Sequence, residues 1–255
     1  MKVLILAGGL PSTLIEQSER IPKPMAEIGG KPILWHIMKY YSSFGFNDFI
    51  ICGGYKIDVI KEYFMNFYYH QSDITVDLST NEIILHRKET EDWKVAIIDT
   101  GLEASVSERI IKAWDYLDGE AFWVAYGDSV SNIDLAQMYS LHKQDEKLAT
   151  LAVARPSGRN QILPITVNGF KPDAKVEDVV DDAWVNACNM IFSTKAKSYI
   201  ERHKTIEHVL FDLGNNSELS TYRHREFWSP METIRDRDML EKMWKSNDAP
   251  WKIWE

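Results

Sequence analysis

The chain has few cysteines and lacks the segments that mark secreted or membrane proteins. Its 255 residues include two cysteines, Cys52 and Cys188, which are too few for a disulfide scaffold and lack the close spacing of cysteine metal ligands. Both are expected to act as small buried apolar residues. No signal peptide is visible, and no apolar run approaches the roughly 20 residues that cross a bilayer. These absences predict a cytoplasmic protein with no membrane partner.

An excess of positive charge is also absent. There are 38 acidic residues against 29 basic ones, which gives a net charge of −9. Non-specific binding to nucleic acid depends on a basic surface, so nucleic acid is not expected as a partner. A nucleotide site can still be locally basic in an acidic protein, so a small anionic ligand stays compatible with this composition.

Proline-, glycine- or serine-rich linkers, repeats and low-complexity tracts are missing too, so the chain is predicted to form a single α/β domain. Apolar runs alternate with helical patterns in the first half, which favours a mostly parallel central sheet with helices on both faces. The second half is less regular and indicates a smaller lobe with a mixed sheet. Strands are predicted at residues 2–6, 47–52, 82–87, 94–98, 121–126, 149–154, 163–167, 184–192 and 219–227. Helices are predicted at residues 32–44, 59–69, 108–116, 195–202, 207–213 and 233–245.

The amino-terminal segment is the most informative part of the chain. An apolar run from Val3 to Ala7 leads into the turn Gly8-Gly9, and Lys23 follows between two prolines. Backbone N–H groups at a turn of this kind can approach an anion closely. The segment is therefore typical of a phosphate-binding site.

Several longer segments carry a resemblance to a known family. They are AEIGGKPILWHIM at residues 26–38, GYK at 54–56, FWSPM at 227–231 and APWKIWE at 249–255. With the glycine turn, they make nearly the whole chain resemble the sugar-1-phosphate nucleotidyltransferases, and among these the glucose-1-phosphate cytidylyltransferases. The resemblance implies a Rossmann-like nucleotidyltransferase fold, with a nucleotide lobe at residues 1–130 and a sugar-binding lobe at 131–255. It also implies attack of a sugar-1-phosphate oxygen on the α-phosphorus of CTP, which yields a CDP-sugar and pyrophosphate, with Mg²⁺ as cofactor.

The resemblance further implies roles for individual residues. Lys23 would be the catalytic cation on the phosphates, and Asp128 and Glu232 would be the metal ligands. The residues expected to bind substrate are Leu6, Ala7, Gly8, Gly9, Gly54, Tyr55, Lys56, Gly127, Arg159 and Asn186. Four of these assignments have a structural alternative. Lys23 could be a solvated loop lysine, Asp128 a helix cap, Asn186 a strand residue whose polar groups are hydrogen-bonded, and Arg159 a surface arginine.

The chain departs from the family pattern at several ligand-facing positions. Thr13 replaces an arginine that grips the triphosphate, and Pro11 replaces a glycine although proline has no N–H to donate. Ungapped alignment places Glu177 where the family has a lysine on the sugar phosphate. Ser107-Glu108 and Ala187-Cys188 each replace a glycine pair, so Glu108 is expected to add a second acid. Losing one charge-stabilising donor costs about 10²–10³ in rate, so the departures predict lost or altered standard activity.

Other functions stay open at this point. The protein could be a working, divergent cytidylyltransferase in which Arg20 compensates for Thr13. It could also be a non-catalytic protein that binds a nucleotide, a metabolite or an assembly partner. A homo-oligomer is expected, because residues 63–69 are apolar nearly all round a helix and residues 251–254 carry two tryptophans near the chain end.

Overall fold

The computed structural model describes residues 1–9, 21–86, 90–119, 121–155, 165–166, 169–170 and 184–254. Its strands are β1 (Val3–Ala7), β2 (Glu27–Ile28), β3 (Lys31–Pro32), β4 (Asp48–Gly53), β5 (Ile74–Asp77), β6 (Glu82–Leu85), β7 (Lys94–Asp99), β8 (Ala121–Tyr126), β9 (Ser129–Ser131), β10 (Ala149–Ala154), β11 (Ile165–Thr166), β12 (Gly169–Phe170), β13 (Val185–Ser193), β14 (Leu219–His224) and β15 (Trp228–Pro230). Its α-helices are α1 (Ile33–Ser42), α2 (Ile57–Met65), α3 (Phe67–Gln71), α4 (Val106–Lys112), α5 (Leu135–Asp145), α6 (Lys197–Arg202), α7 (Ile206–Asn215) and α8 (Ile234–Lys245). Short 3-10 turns cover Lys23–Met25, Trp114–Tyr116 and Thr194–Ala196.

One seven-stranded sheet contains strands from both halves of the chain. Its strand order is β14-β10-β13-β8-β1-β4-β7. Four of the six neighbouring pairs are parallel, and the two pairs made by β13 are antiparallel. The predicted mostly parallel sheet is therefore confirmed. The parallel strands β1, β4, β7 and β8 present their carboxyl ends at one edge, which is where ligands bind in open α/β sheets.

Both faces of this sheet are covered. Successive side chains of a strand point to opposite faces, so Val3 and Ile5 join one apolar cluster while Leu4 joins the other. The first cluster includes buried residues of α1 and α8, and the second includes buried residues of α4, α6 and α7. Burial on both faces explains why β1 is apolar at every position.

Two local predictions differ from the structure. The helix predicted at residues 59–69 is divided at Asn66 into α2 and α3. The strand predicted at residues 82–87 exists as β6, but it pairs with β5 in a separate two-stranded sheet and is not part of the central sheet. Within the described ranges, no helix combines the length and the apolar character needed to cross a membrane.

The carboxyl-terminal segment folds back onto its own chain. Trp251 is fully buried, its indole N–H donates to Nδ1 of His36 at 3.4 Å, and its ring stacks on Phe227 at a centroid distance of 5.6 Å. Trp254 packs edge-on against Trp35. Trp251 is therefore a core residue, and the expectation that it would contact another subunit is wrong.

Candidate active site

The two glycine loops predicted to bind nucleotide lie side by side. β1 and β4 are parallel neighbours, with Ala7 opposite Gly53, so Gly8 and Gly54 follow at the same edge. A Cβ atom at Gly54 would lie 2.7 Å from the carbonyl oxygen of Gly8. A side chain there would therefore push the loops apart, which is the physical reason for glycine at this position.

The other predicted nucleotide-binding residues lie at the same edge. Leu6 and Ala7 end β1, and Gly9 is exposed beside them. Lys56 precedes the first turn of α2 with a φ angle of 47°, and its ammonium lies 5.6 Å from the Tyr55 ring centroid. The structure thus brings the two sequence-distant segments together, and their binding of a nucleotide stays a prediction.

A 3-10 turn brings Lys23 to Asp128. Pro24 of this turn packs against Gly127, where an added Cβ would lie 3.2 Å from the proline ring and 3.0 Å from the carbonyl oxygen of Leu6. The Gly127 N–H donates to that same Leu6 oxygen at 2.9 Å. Next to it, Nζ of Lys23 donates to Oδ2 of Asp128 at 2.7 Å. The predicted phosphate-binding cation and the predicted metal carboxylate are therefore in contact.

A two-stranded ribbon brings Glu232 to the same corner. β9 and β15 pair antiparallel, and the N–H of Met231 donates to the carbonyl oxygen of Asp128 at 2.7 Å. Glu232 is the next residue. Burial raises the pKa of the nearby Cys188 thiol to about 12, and the charges of Asp128 and Glu232 act in the same direction. The bond from Met231 to Asp128 thus places the backbone of Glu232 beside that of Asp128.

Arg109 is a site residue that the sequence reasoning missed. It is buried on α4, and its guanidinium donates to the carbonyl oxygens of Gly8 (2.7 Å), Gly101 (2.8 Å), Leu102 (3.1 Å) and Gly53 (3.3 Å) and to Oγ1 of Thr100 (2.6 Å). None of the ion pairs within the described ranges involves it. Its burial lowers the pKa, but a guanidinium stays protonated, so it leaves a positive charge behind the glycine turn. The sequence signal that could have indicated this role is a charged residue between Val106 and Ile110, on the apolar face of α4.

Comparison with known proteins identifies the family of the chain. The family model for nucleotidyl transferases matches residues 2–161. Glucose-1-phosphate cytidylyltransferase of Salmonella typhimurium is 42% identical over 100% of both chains, and that of Salmonella typhi is equally similar. The chain belongs to the sugar-1-phosphate nucleotidyltransferase family.

A solved structure shows the same family fold. UDP-glucose pyrophosphorylase complexed with UDP-glucose superposes with a TM-score of 0.69, covering 96% of this chain and 98% of that one. The identity is 14%, so this similarity concerns the fold alone. The Rossmann-like nucleotidyltransferase fold that the resemblance implied is confirmed.

The carboxylates at this corner suit magnesium as a nucleotidyltransferase would use it. Mg²⁺ is usually held by one or two protein carboxylates and completes its octahedron with water and substrate phosphates. Asp128 and Glu232 offer two hard oxygen ligands, the number that Mg²⁺ takes from protein when substrate phosphates complete its coordination. Within the described residues, no group of three or more His, Cys, Asp or Glu side chains is placed to hold a metal ion.

Cys188 occupies a backbone position that suits the glycine of the family pattern. Its φ angle is 62°, in the left-handed region where residues other than glycine are strained. Its N–H donates to Oδ1 of Asn186 at 2.8 Å, and the register between β10 and β13 shifts at this point. Asn186 therefore already uses its carboxamide oxygen to shape the strand, and its contact with sugar stays a prediction.

Glu108 has a structural role that the sequence reasoning did not assign to it. It completes a capping box on α4, in which its carboxylate accepts from the Ser105 N–H at 2.7 Å and Oγ of Ser105 accepts from the Glu108 N–H at 3.3 Å. The bond from the Ser105 N–H lowers the pKa of the Glu108 carboxyl. The side chain thus caps its own helix, and its effect as a second acid on a ligand stays a prediction.

The remaining predicted residues lie outside the described part of the chain. They are Arg159, predicted to bind substrate, and the departures and possible compensation at Pro11, Thr13, Arg20 and Glu177. Their roles stay predictions.

Proposed function

We propose that this protein binds a CTP-like nucleotide and a sugar 1-phosphate and transfers the cytidylyl group between them at a reduced rate. The observation that carries the proposal is the contact between Lys23 and Asp128 beside the Gly8 turn, with Glu232 at the same corner. Full-length identity of 42% to a glucose-1-phosphate cytidylyltransferase supports CTP and a sugar phosphate as substrates. Residues 1–130 are the proposed nucleotide lobe and residues 131–255 the proposed sugar lobe.

The residues of the site would act mainly by position and charge. In the proposed reaction a phosphate oxygen of the sugar 1-phosphate bonds to the α-phosphorus, and the bond to pyrophosphate breaks. Backbone N–H groups at Gly8 and Gly9 would face the phosphates, and Lys23 would neutralise charge that develops during transfer. Asp128 and Glu232 would hold Mg²⁺, which when bound supplies further positive charge to the phosphate oxygens.

The reduced rate follows from the replaced positions. Thr13 and Glu177 remove two cations that the resemblance places on the phosphates, and each such loss costs about 10²–10³ in rate. Cys188 adds a half-buried side chain near Asp128 and Glu232 where the family pattern has glycine. This last observation favours a second candidate function, a nucleotide-binding protein with no turnover.

Pyrophosphate release with CTP, Mg²⁺ and glucose 1-phosphate tests the proposal. We expect turnover below the usual enzyme range of about 1–10³ s⁻¹, and its loss in Asp128→Asn but not in the surface control Asp115→Asn. Turnover within that range would contradict the reduced rate. Calorimetric CTP binding without any pyrophosphate release would support the non-catalytic candidate. Absence of both CTP binding and pyrophosphate release would contradict both candidate functions.

Restoring the family residues tests the reason for the reduced rate. The triple variant Pro11→Gly, Thr13→Arg and Glu177→Lys adds an N–H donor and two cations and removes one acid, so CTP and sugar phosphate should bind more tightly. Calorimetry that shows no gain over the unmodified protein would contradict the alignment or the assigned roles.

We also propose that the protein is a homo-oligomer. The segment that the sequence predicted to be apolar all round exposes Met65 (78%), Tyr68 (52%) and Tyr69 (44%) on α2 and α3. Apolar surface of this kind marks contact sites on soluble proteins. Light scattering that gives a mass near 29.5 kDa at micromolar concentration would contradict the proposal.

A further inference from the structure

The hairpin of β5 and β6 has an unusual surface for a stable part of a protein. It forms its own two-stranded sheet, and Ile74 (42%), Val76 (46%), Ile83 (49%) and Ile84 (53%) are all strongly exposed. A two-stranded hairpin is marginally stable alone. Natural edge strands are usually protected by lysine, proline or a bulge, and the strand sequences ITVD and EIIL contain no lysine or proline.

The hydrogen-bond pattern shows which backbone groups face outward. The N–H of His86 donates to the carbonyl oxygen of Asp73 inside the hairpin. Hydrogen-bonded and non-hydrogen-bonded pairs alternate along an antiparallel ladder, so the pair Thr75 and Ile84 also faces inward. The backbone groups of Ile83 and Leu85 consequently point away from β5, where another strand could pair with them.

We propose that a second copy of this chain occupies this edge, with the two β6 strands antiparallel about a two-fold axis at Ile84. In this register Ile83 of each copy forms a hydrogen-bonded pair with Leu85 of the other, which uses the outward-facing groups of both. The result is a four-stranded sheet with one apolar face made of Ile74, Val76, Ile83 and Leu85 from each copy. Two copies of one edge form an isologous contact, the commonest type among homodimers.

Charge selects this register and this edge. A two-fold axis at Ile84 places Glu82 of each copy opposite His86 of the other, whose Nε2 bonds to Oγ1 of Thr75 in its own hairpin at 2.7 Å, so no two acids face each other. The equivalent pairing of two β5 strands, centred on Thr75, would place Asp73 opposite Asp77 twice. Like charges directly opposite each other destabilise a sheet, so the β6 edge is favoured over the β5 edge.

A cysteine cross-link tests the pairing. Directly opposite residues in a non-hydrogen-bonded pair have Cα atoms about 4.5 Å apart, within the range of a disulfide. Ile84→Cys should therefore form a disulfide-linked dimer under mild oxidation, whereas the control Thr75→Cys on β5 should not. Equal cross-linking of both variants, or none in Ile84→Cys, would overturn the proposal.

A charge exchange gives a second, independent readout in the reduced protein. His86→Glu should weaken the dimer by about tenfold, since it places two acids directly opposite each other on both sides of the axis. Adding Glu82→Lys to this variant should recover most of the affinity, which loss of folding cannot explain. Sedimentation that shows no weakening in His86→Glu, or no recovery in the double variant, would overturn the register. The same measurement on Ile83→Pro, which removes an outward N–H without touching the hairpin ladder, should show weaker self-association than Val76→Pro, which alters the other edge. Equal self-association of the two proline variants would overturn the edge assignment.

Discussion

At the scale of single residues, Arg109 has the largest structural effect on the glycine turn. Burying a guanidinium without a carboxylate partner is costly, and its bonds to five oxygen atoms offset that cost. Its acceptors lie at or just after the carboxyl ends of three parallel strands, β1, β4 and β7. The position of the Gly8 turn therefore depends on one side chain of α4.

Replacing Arg109 with lysine should reduce stability and nucleotide binding together. An ammonium has three donors on a flexible stem and cannot serve the acceptors that a planar guanidinium reaches. We expect the free energy of unfolding to fall by about 2–4 kcal/mol and CTP to bind more weakly. Urea denaturation and calorimetry measure the two effects. Arg202→Lys, at an exposed ion pair with Asp212, is the control and should change stability by less than about 1 kcal/mol. Equal losses in the two variants would contradict this role.

At the scale of secondary-structure elements, helix boundaries depended on caps that lie just outside the periodic segments. The helix predicted from residue 108 begins at Val106, because Ser105 and Glu108 form a capping box. The motif Ser-x-x-Glu was present in the sequence and would have located this start. The same device, formed by Thr233 and Asp236, begins α8.

His36 connects α1 to the carboxyl-terminal segment and should make that connection sensitive to acid. Its Nε2 bonds to the carbonyl oxygen of Ile28 at 2.8 Å while Nδ1 accepts from Trp251, so the ring is neutral with its proton on Nε2. Burial lowers the pKa of His36 to about 4, below its ordinary value of 6.5. Protonation would place two donors, His36 Nδ1–H and the Trp251 indole, against each other.

The protein should therefore lose stability as the pH falls below 6.5. In that range the unfolded chain binds a proton at His36 that the folded chain does not, until the pH reaches about 4. The contribution is about 2 kcal/mol between pH 7 and pH 5. Urea denaturation across this range should show a shallower pH dependence in His36→Gln than in the unmodified protein or in His70→Gln, which alters an exposed histidine. An unchanged slope in His36→Gln would exclude the contribution.

At the scale of the whole molecule, the carboxyl-terminal segment completes the core of its own chain. Trp251 closes the apolar cluster that includes α1 and α8. Trp251→Ala should cost about 3–5 kcal/mol of unfolding free energy, whereas Trp254→Ala, at a half-buried position, should cost less than about 2 kcal/mol. Thermal or urea unfolding compares the two.

Sedimentation of Trp251→Ala, at a temperature where the variant remains folded, should show the same assembly as the unmodified protein. A loss of assembly under these conditions would indicate that Trp251 contacts another subunit.

Much of the fold was predictable because its signals are local. The strand at β8 was predicted at residues 121–126 and β10 at residues 149–154, and both match. A strand buried on both faces is apolar at every position, and that pattern needs no knowledge of its neighbours. β6 also contains an apolar run, Ile83–Leu85, but the sequence does not show whether other elements cover it, so its place in a separate exposed hairpin was not predicted.

The sequence by itself determined the family, through the segments that carry the resemblance. It also determined the mostly parallel α/β sheet, because that depends on local backbone preference and on which residues avoid water. Only the tertiary structure decided that Lys23 meets Asp128 across 105 positions of sequence, that Glu108 caps its own helix, and that Arg109 joins loops from three strands. Such contacts depend on how distant elements pack against each other. A side chain's hydrogen-bond partner is set by that packing, and the same residue type is compatible with several partners until the fold has formed.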